Sequence, residues 1–188
     1  MSVFTNPASA SRQHANAYIA AILEALGDQD PFSVLEATPG AFARLIEGLP
    51  AAELSTPESS GKWSLQQVLA HMADSEIVWS WRVRMVLAHD RPPLTGYDQD
   101  LWAERLGYGK TEAAHSLLLF TAVRESNLRL LRRATPAELQ RVGVHAERGE
   151  ESVQHMLRLY AGHDIVHTRQ LEWVRSAVTG QRAGARVK

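Results

Sequence analysis

Two histidines, His163 and His167, stand four residues apart in the run GHDIVHTRQLEWV. On a helix that spacing stacks both rings on one face, about 6 Å apart along the axis. At about 100° per residue, Met156, Tyr160, Leu171, Val174 and Val178 fall in the same narrow sector, with the two imidazoles in its middle. The pattern asks for Leu at those places. A buried polar group without a partner costs roughly 1–3 kcal/mol. A single carbonyl or carboxylate satisfies one core histidine. Two at this spacing can converge their Nε2 atoms on one point, which suits a metal ion, because neutral imidazole is a common ligand for zinc and similar cations.

A third ligand would come from a facing helix. Of the eight histidines, His14, His89, His115, His145 and His155 lie in end turns, in loops or off the apolar stripe. His71 borders an apolar face two turns into a capped helix and is the best remaining candidate. Glu76 lies inside that same face, placed either for an ion pair to a neighbouring helix or for a role beside the site. Asp164 could orient a histidine ring, act as a fourth ligand or make a surface salt bridge. Gln170, one turn beyond His167, could reach a substrate, a metal-bound water or a neighbouring loop. Trp63 walls the pocket mouth or packs in the core. Tyr97, Trp102 and Tyr108 roof a pocket or pack a crossover loop.

The elements that must hold these residues read as helices. Residues 11–26 carry an apolar stripe through Tyr18, Ile19, Ile22, Leu23 and Leu26 and stop at Gly27. Asp30-Pro31 and Thr38-Pro39 each give a cap followed by proline. They predict one short turn and then a helix over 39–48, with a single proline-kinked helix as the alternative. Residues 51–62 read as a polar loop. Ser64 to Gln67 is a capping box opening a helix that runs to about His89, stopped by Pro92-Pro93. Residues 92–110 are a long connection, 111–133 a helix, Thr135 to Glu138 a short turn. Residues 141–151 form a loop with an extended segment or short hairpin, and 153–178 form the last long helix. Nothing alternates at period two for long enough to predict a sheet. The fold class is all-α, a bundle with at least one long crossover. Residues 1–10 read as a loose leader, 11–178 as one helical domain and 179–188 as a flexible tail.

Composition narrows the function classes. With 188 residues, 45% hydrophobic and 22% charged, the chain suffices for one domain with a substantial core. A net charge of −1 and no basic stripe argue against nucleic acid as partner. Zero cysteines exclude disulfides, thiolate metal sites and a cysteine nucleophile. No apolar run approaches membrane-spanning length and no signal peptide is visible. A cytoplasmic protein with no membrane partner is expected.

The segment GKWSLQQVLAHMADSE resembles the second-helix signature GxWSxxxxxxHxxxxE of the DinB/YfiT-like superfamily. The segment GVHAERGEESVQHMLRLYAGHDIVHTRQL is similar to that superfamily's closing stretch, an HxxxH followed by Gln. The resemblance covers roughly residues 30–178, leaving the helix at 11–26 as an extra N-terminal element. It implies a DinB-like four-helix bundle with a long crossover. It also implies a divalent metal, zinc or nickel, on His71, His163 and His167, and pairing as a homodimer. Its members include metal-dependent hydrolases and transferases that use a low-molecular-weight thiol.

Three neutral histidines on zinc leave a position open for water, whose pKa can fall to about 7, or for an incoming thiol. The expected function is therefore a metal-dependent enzyme acting on a small-molecule substrate, by hydrolysis or by thiol transfer. The alternative is a non-catalytic dimeric bundle whose histidines hold a structural or ligand-binding metal.

Overall fold

Four long helices carry the chain's apolar faces in the computed structural model, which describes residues 12–180, with side-chain surroundings from residue 17 onward. They are α2 (Pro31–Ile46), α4 (Leu65–Ala88), α6 (Ala113–Leu131) and α8 (Val153–Val178). Helix α1 (Arg12–Leu26) lies against α8 as a fifth helix. Short helices α3 (Ala51–Ser55), α5 (Gln99–Arg105) and α7 (Pro136–Leu139) sit in the connections. The leader at 1–10 and most of the tail at 179–188 fall outside the described residues. No described helix is long and apolar enough to cross a membrane.

The helix starts follow from caps. Ser64 and Gln67 exchange side-chain and backbone bonds, a capping box that fixes where α4 begins. Asp30 accepts from the Ser33 backbone N–H at 2.8 Å ahead of Pro31, and Ser152 accepts from His155 N–H at the start of α8.

Two expectations for the first half of the chain are corrected. Residues 31–46 form one helix through Pro39, not a turn followed by a helix. Pro39 has no N–H to give the carbonyl of Leu35. That carbonyl instead accepts from Arg124 Nη1 at 3.0 Å, so the helix continues with a partner supplied from α6. The start of the polar loop at 51–62 is the short helix α3.

The short hairpin expected as one reading of 141–151 is present, and the third correction is that it belongs to a small sheet. Strands β1 (Pro93–Leu94), β2 (Val142–His145) and β3 (Gly149–Ser152) form it in the order β1-β2-β3, with β1 parallel to β2 and β2 antiparallel to β3. Two to four residues per strand are too few to show a period of two. Pairing of β1 with β2 across α6 is a tertiary event. The hairpin is packed hard onto α4 and β1: a Cβ on Gly143 would stand 2.8 Å from Leu94 and Val86 side-chain carbons.

The core has two apolar blocks. One gathers Leu26, Leu35, Trp79, Val83, Leu131 and Met156, the other Phe42, Leu69, Met72, Phe120, Leu171 and Val174. On α4, α6 and α8 a polar stretch separates the residues of the two blocks: Ser75 and Glu76, Arg124 and Asn127, and His163 to His167. All but His163 of these named polar residues are buried. The core is apolar in these two blocks and polar in the layer between them.

Candidate metal centre

His71 stands on α4, and His163 and His167 stand one turn apart on the facing side of α8. One ligating nitrogen from each lies within 4.8 Å of the others. Nε2 of His71 and Nε2 of His163 are 3.4 Å apart. The ring centroids are separated by 4.9 Å for His71 and His167, and by 4.3 Å for His163 and His167. His71 and His167 are buried, and His163 is partly exposed. A tetrahedral ion with nitrogen arms of 2.0–2.1 Å sets its ligand nitrogens roughly 3.4 Å apart.

The electrostatics keep the rings neutral. Burial holds His71 well below the ordinary imidazole value, with His167 adding to the effect. His163 is lowered by burial first, then by His167, His71 and Arg124. Burial pulls His167 down to about 4, against the upward pull of Gln170. Gln170 Oε1 lies 2.7 Å from His167 Nδ1 and can only accept there. The proton therefore sits on Nδ1, and Nε2 carries a bare lone pair. That Nε2 is buried and has no hydrogen-bond partner. An orphaned lone pair aimed at two further imidazoles fits a divalent cation, since neutral histidine with its other nitrogen bonded to a fixed acceptor is the usual ligand form.

Trp63 packs on the His71 ring with centroids 5.1 Å apart and meets Tyr108 at 6.2 Å. Tyr108 donates to Asp74 at 2.7 Å rather than facing the histidines. Tyr97, with the Trp102 ring tilted against it at 4.5 Å, shares a 2.7 Å bond with Ser75 Oγ, which lies 3.4 Å from His71 Nε2.

Glu76 and Asp164 are not part of the cluster. Both carboxylates clasp Arg124 of α6: Glu76 through Nε at 3.0 Å and Nη2 at 2.8 Å, Asp164 through Nη1 at 2.5 Å and Nη2 at 3.0 Å. Asn127 donates to Glu76 at 2.8 Å. The Arg124 guanidinium also lies over Phe120, 4.5 Å from its centroid. Burial pushes both carboxyls up, and Arg124 pulls against it. This buried triad ties all four bundle helices together, because Leu35 on α2 accepts from the same guanidinium. The sequence reading missed Arg124, although its position midway between Phe120 and Leu128 on the apolar stripe of α6 was a visible signal.

A cavity of about 110 Å³ opens beside the histidines. His71 and His163 line it, together with Tyr18 and Ile22 of α1 and Tyr160. Helix α1 is brought in closely: a Cβ on Gly162 would stand 2.2 Å from the Ile22 carbonyl oxygen, so only glycine permits this approach of α1 to α8. Arg82 and His145 also line the cavity. Both are buried, and the reading of His145 as a loop residue gave no hint of it.

The DinB superfamily model matches residues 34–171. A Bacillus mycoides protein named "Putative metal-dependent hydrolase" is 29% identical over 158 residues, 84% of this chain and 90% of its own length. YfiT of Bacillus subtilis, which bears the same description, is 28% identical over 135 residues, 71% of this chain and 76% of its own. The solved structure of YfiT, described as an unusual four-helix bundle topology, matches with a TM-score of 0.73 at 24% identity. It covers 94% of this chain and 93% of that one. The likeness extends over the bundle and its crossover.

Proposed function

This chain belongs to the DinB superfamily, and on that premise we propose a metal-dependent enzyme that acts on a small molecule through His71, His163 and His167. The observation that carries the reading is the convergence of three neutral imidazoles, one with an orphaned lone pair, beside an open cavity. The names of the relatives support hydrolysis as the reaction class.

His71, His163 and His167 would hold a divalent ion such as zinc or nickel, which would supply Lewis-acid chemistry for a hydrolysis or for a reaction with a low-molecular-weight thiol. Everything else falls to the chain. Gln170 fixes the His167 tautomer. Ser75 and Tyr97 place two hydroxyls next to His71, available to hold a reacting oxygen. Burial keeps the Tyr97 phenol well above its ordinary pKa, so it acts as a donor that stays protonated. A thiol reaction would need a co-substrate, because the chain has no cysteine.

The cavity at His71 and His163 favours this reading over a purely structural metal, which usually closes with four protein ligands. A homodimer is part of the proposal, as family resemblance implies, with the exposed Trp81 of α4 and Trp173 of α8 as candidate apolar contacts. Light scattering of the purified chain tests it. Elemental analysis of tag-free protein tests the metal. About one equivalent of zinc or nickel is expected, lost in His71→Ala/His163→Ala. A wild type that is metal-free and refuses titrated metal would end the enzyme reading.

A further inference from the structure

The cavity wall beyond His71 carries a cation, Arg82, that no described carboxylate pairs with directly, although Glu151 lies near enough to feel its charge. Arg82 lies three turns beyond His71 on α4, roughly 16 Å along the axis, and its side chain leans back toward the helix N-terminus. It is 5% exposed. Its Nη2 donates to the Thr95 carbonyl at 2.5 Å, and its Nε is buried with no acceptor. No carboxylate makes an ion pair with it among the described residues. The neighbouring Arg148 is different, because both its Nε and Nη2 donate to Glu151 and its charge is matched. Glu147 lines the cavity too, without an ion pair to Arg82.

His145 sharpens the picture. Its Nδ1 accepts from the Glu147 backbone N–H at 3.2 Å. A neutral ring that accepts at Nδ1 carries its proton on Nε2. That Nε2 stands 3.5 Å from Arg82 Nη2, so a donor faces a donor with no acceptor between them. A buried guanidinium whose Nε has no acceptor, beside an imidazole N–H that meets only Nη2 of the same arginine, presents donors suited to an anion. Arginine's planar fork matches the two oxygens of a carboxylate.

We propose that Arg82 and His145 bind a carboxylate of the substrate, so that the ligand is a small carboxylic acid anchored on this wall with its reacting group directed toward His71 and His163. The claim rests on the metal-dependent reading for what happens at the histidines, but not for the binding of the carboxylate. The cavity volume of about 110 Å³ limits the anchored portion to a few heavy atoms.

The test uses propionate and its neutral isostere propionamide as probes on the full chain, followed by NMR with ¹⁵N-labelled histidine. Propionate should bind saturably, in the millimolar range, and shift the His145 Nε2–H resonance in wild type. Propionamide should not. Arg82→Gln should weaken propionate at least tenfold with metal content and helicity unchanged, and Arg82→Lys should recover part of the loss. His163→Ala protein should still bind propionate, which separates this claim from the metal reading. Propionate binding that survives Arg82→Gln but is lost in His163→Ala would place the carboxylate on the metal and overturn the proposal. Equal binding of propionate and propionamide, or a His145 resonance indifferent to both, would overturn it as well. The wild-type resonance decides the matter even if Arg82→Gln fails to fold.

Discussion

Removing Arg124 should cost more stability than removing any single apolar residue of the core. The side chain is 1% exposed and makes five hydrogen bonds: two to Glu76, two to Asp164 and one to the Leu35 carbonyl. Replacement by methionine keeps most of the volume and leaves two buried carboxylates without a counterion and one buried carbonyl without a donor; Glu76 keeps only Asn127. Breaking a buried ion pair from one side costs about 3–5 kcal/mol. The orphaned carbonyl adds roughly 1–3 kcal/mol. Protonation of one carboxylate relieves part of the sum, so a net loss of about 4–6 kcal/mol is expected, a large share of a typical stability of about 5–15 kcal/mol. The stranded carboxyls would have folded-state pKa values raised above their unfolded ones. Such groups stabilise below the unfolded pKa and lose that contribution as pH rises through the folded value, so the penalty of Arg124→Met should be smaller at pH 5 than at pH 8. Urea denaturation of metal-free protein at both pH values measures it. Replacing all three members by apolar residues should recover at least half the loss, because a buried ionic cluster carries its own desolvation cost. A loss under about 1 kcal/mol in Arg124→Met, or one independent of pH, would refute the account of this layer.

Three further outcomes follow from the same geometry. Gln170→Leu frees the tautomer of His167 and should weaken metal affinity about 10–100-fold while leaving the fold intact, read by competition with a chromophoric chelator. Gly162→Ala drives a Cβ to within 2.2 Å of the Ile22 carbonyl oxygen, and since backbone must move, a loss of about 1–3 kcal/mol with faster proteolysis of α1 is expected. Metal-free protein should lose stability with acid between the unfolded imidazole value of 6.5 and the folded values near 4 of His167 and His145. In that window the unfolded chain binds the protons that the buried rings refuse, so stability falls with pH. For His167 the shift corresponds to roughly 3 kcal/mol. Thermal melts from pH 4 to pH 8 would show it, and a flat profile would argue against buried neutral rings.

The long helices were legible from the sequence because periodicity, caps and proline stops are local. Ser64 and Gln67 mark the start of α4 with four residues, and the apolar stripe of 153–178 needs no partner to be seen. The pairing of His163 with His167 was legible for the same reason, because helix geometry alone sets their separation. His71 could be ranked above the other histidines but not placed, since its distance to α8 is a property of packing. The partners of Glu76 and Asp164 were decided only by the tertiary structure: both lie at core positions, and whether they turn to a metal or to Arg124 depends on which face α6 presents. The hairpin at 141–151 could be named as one option, but the sheet escaped notice because β1 is too short for a pattern and finds β2 only after α6 has crossed the bundle. His145 looked like a loop residue until that pairing buried it beside Arg82. Local physical chemistry determined the helices and two of the three ligand candidates. Packing between distant segments decided what each buried charge faces, because a charge's free energy depends on neighbours that no stretch of sequence contains.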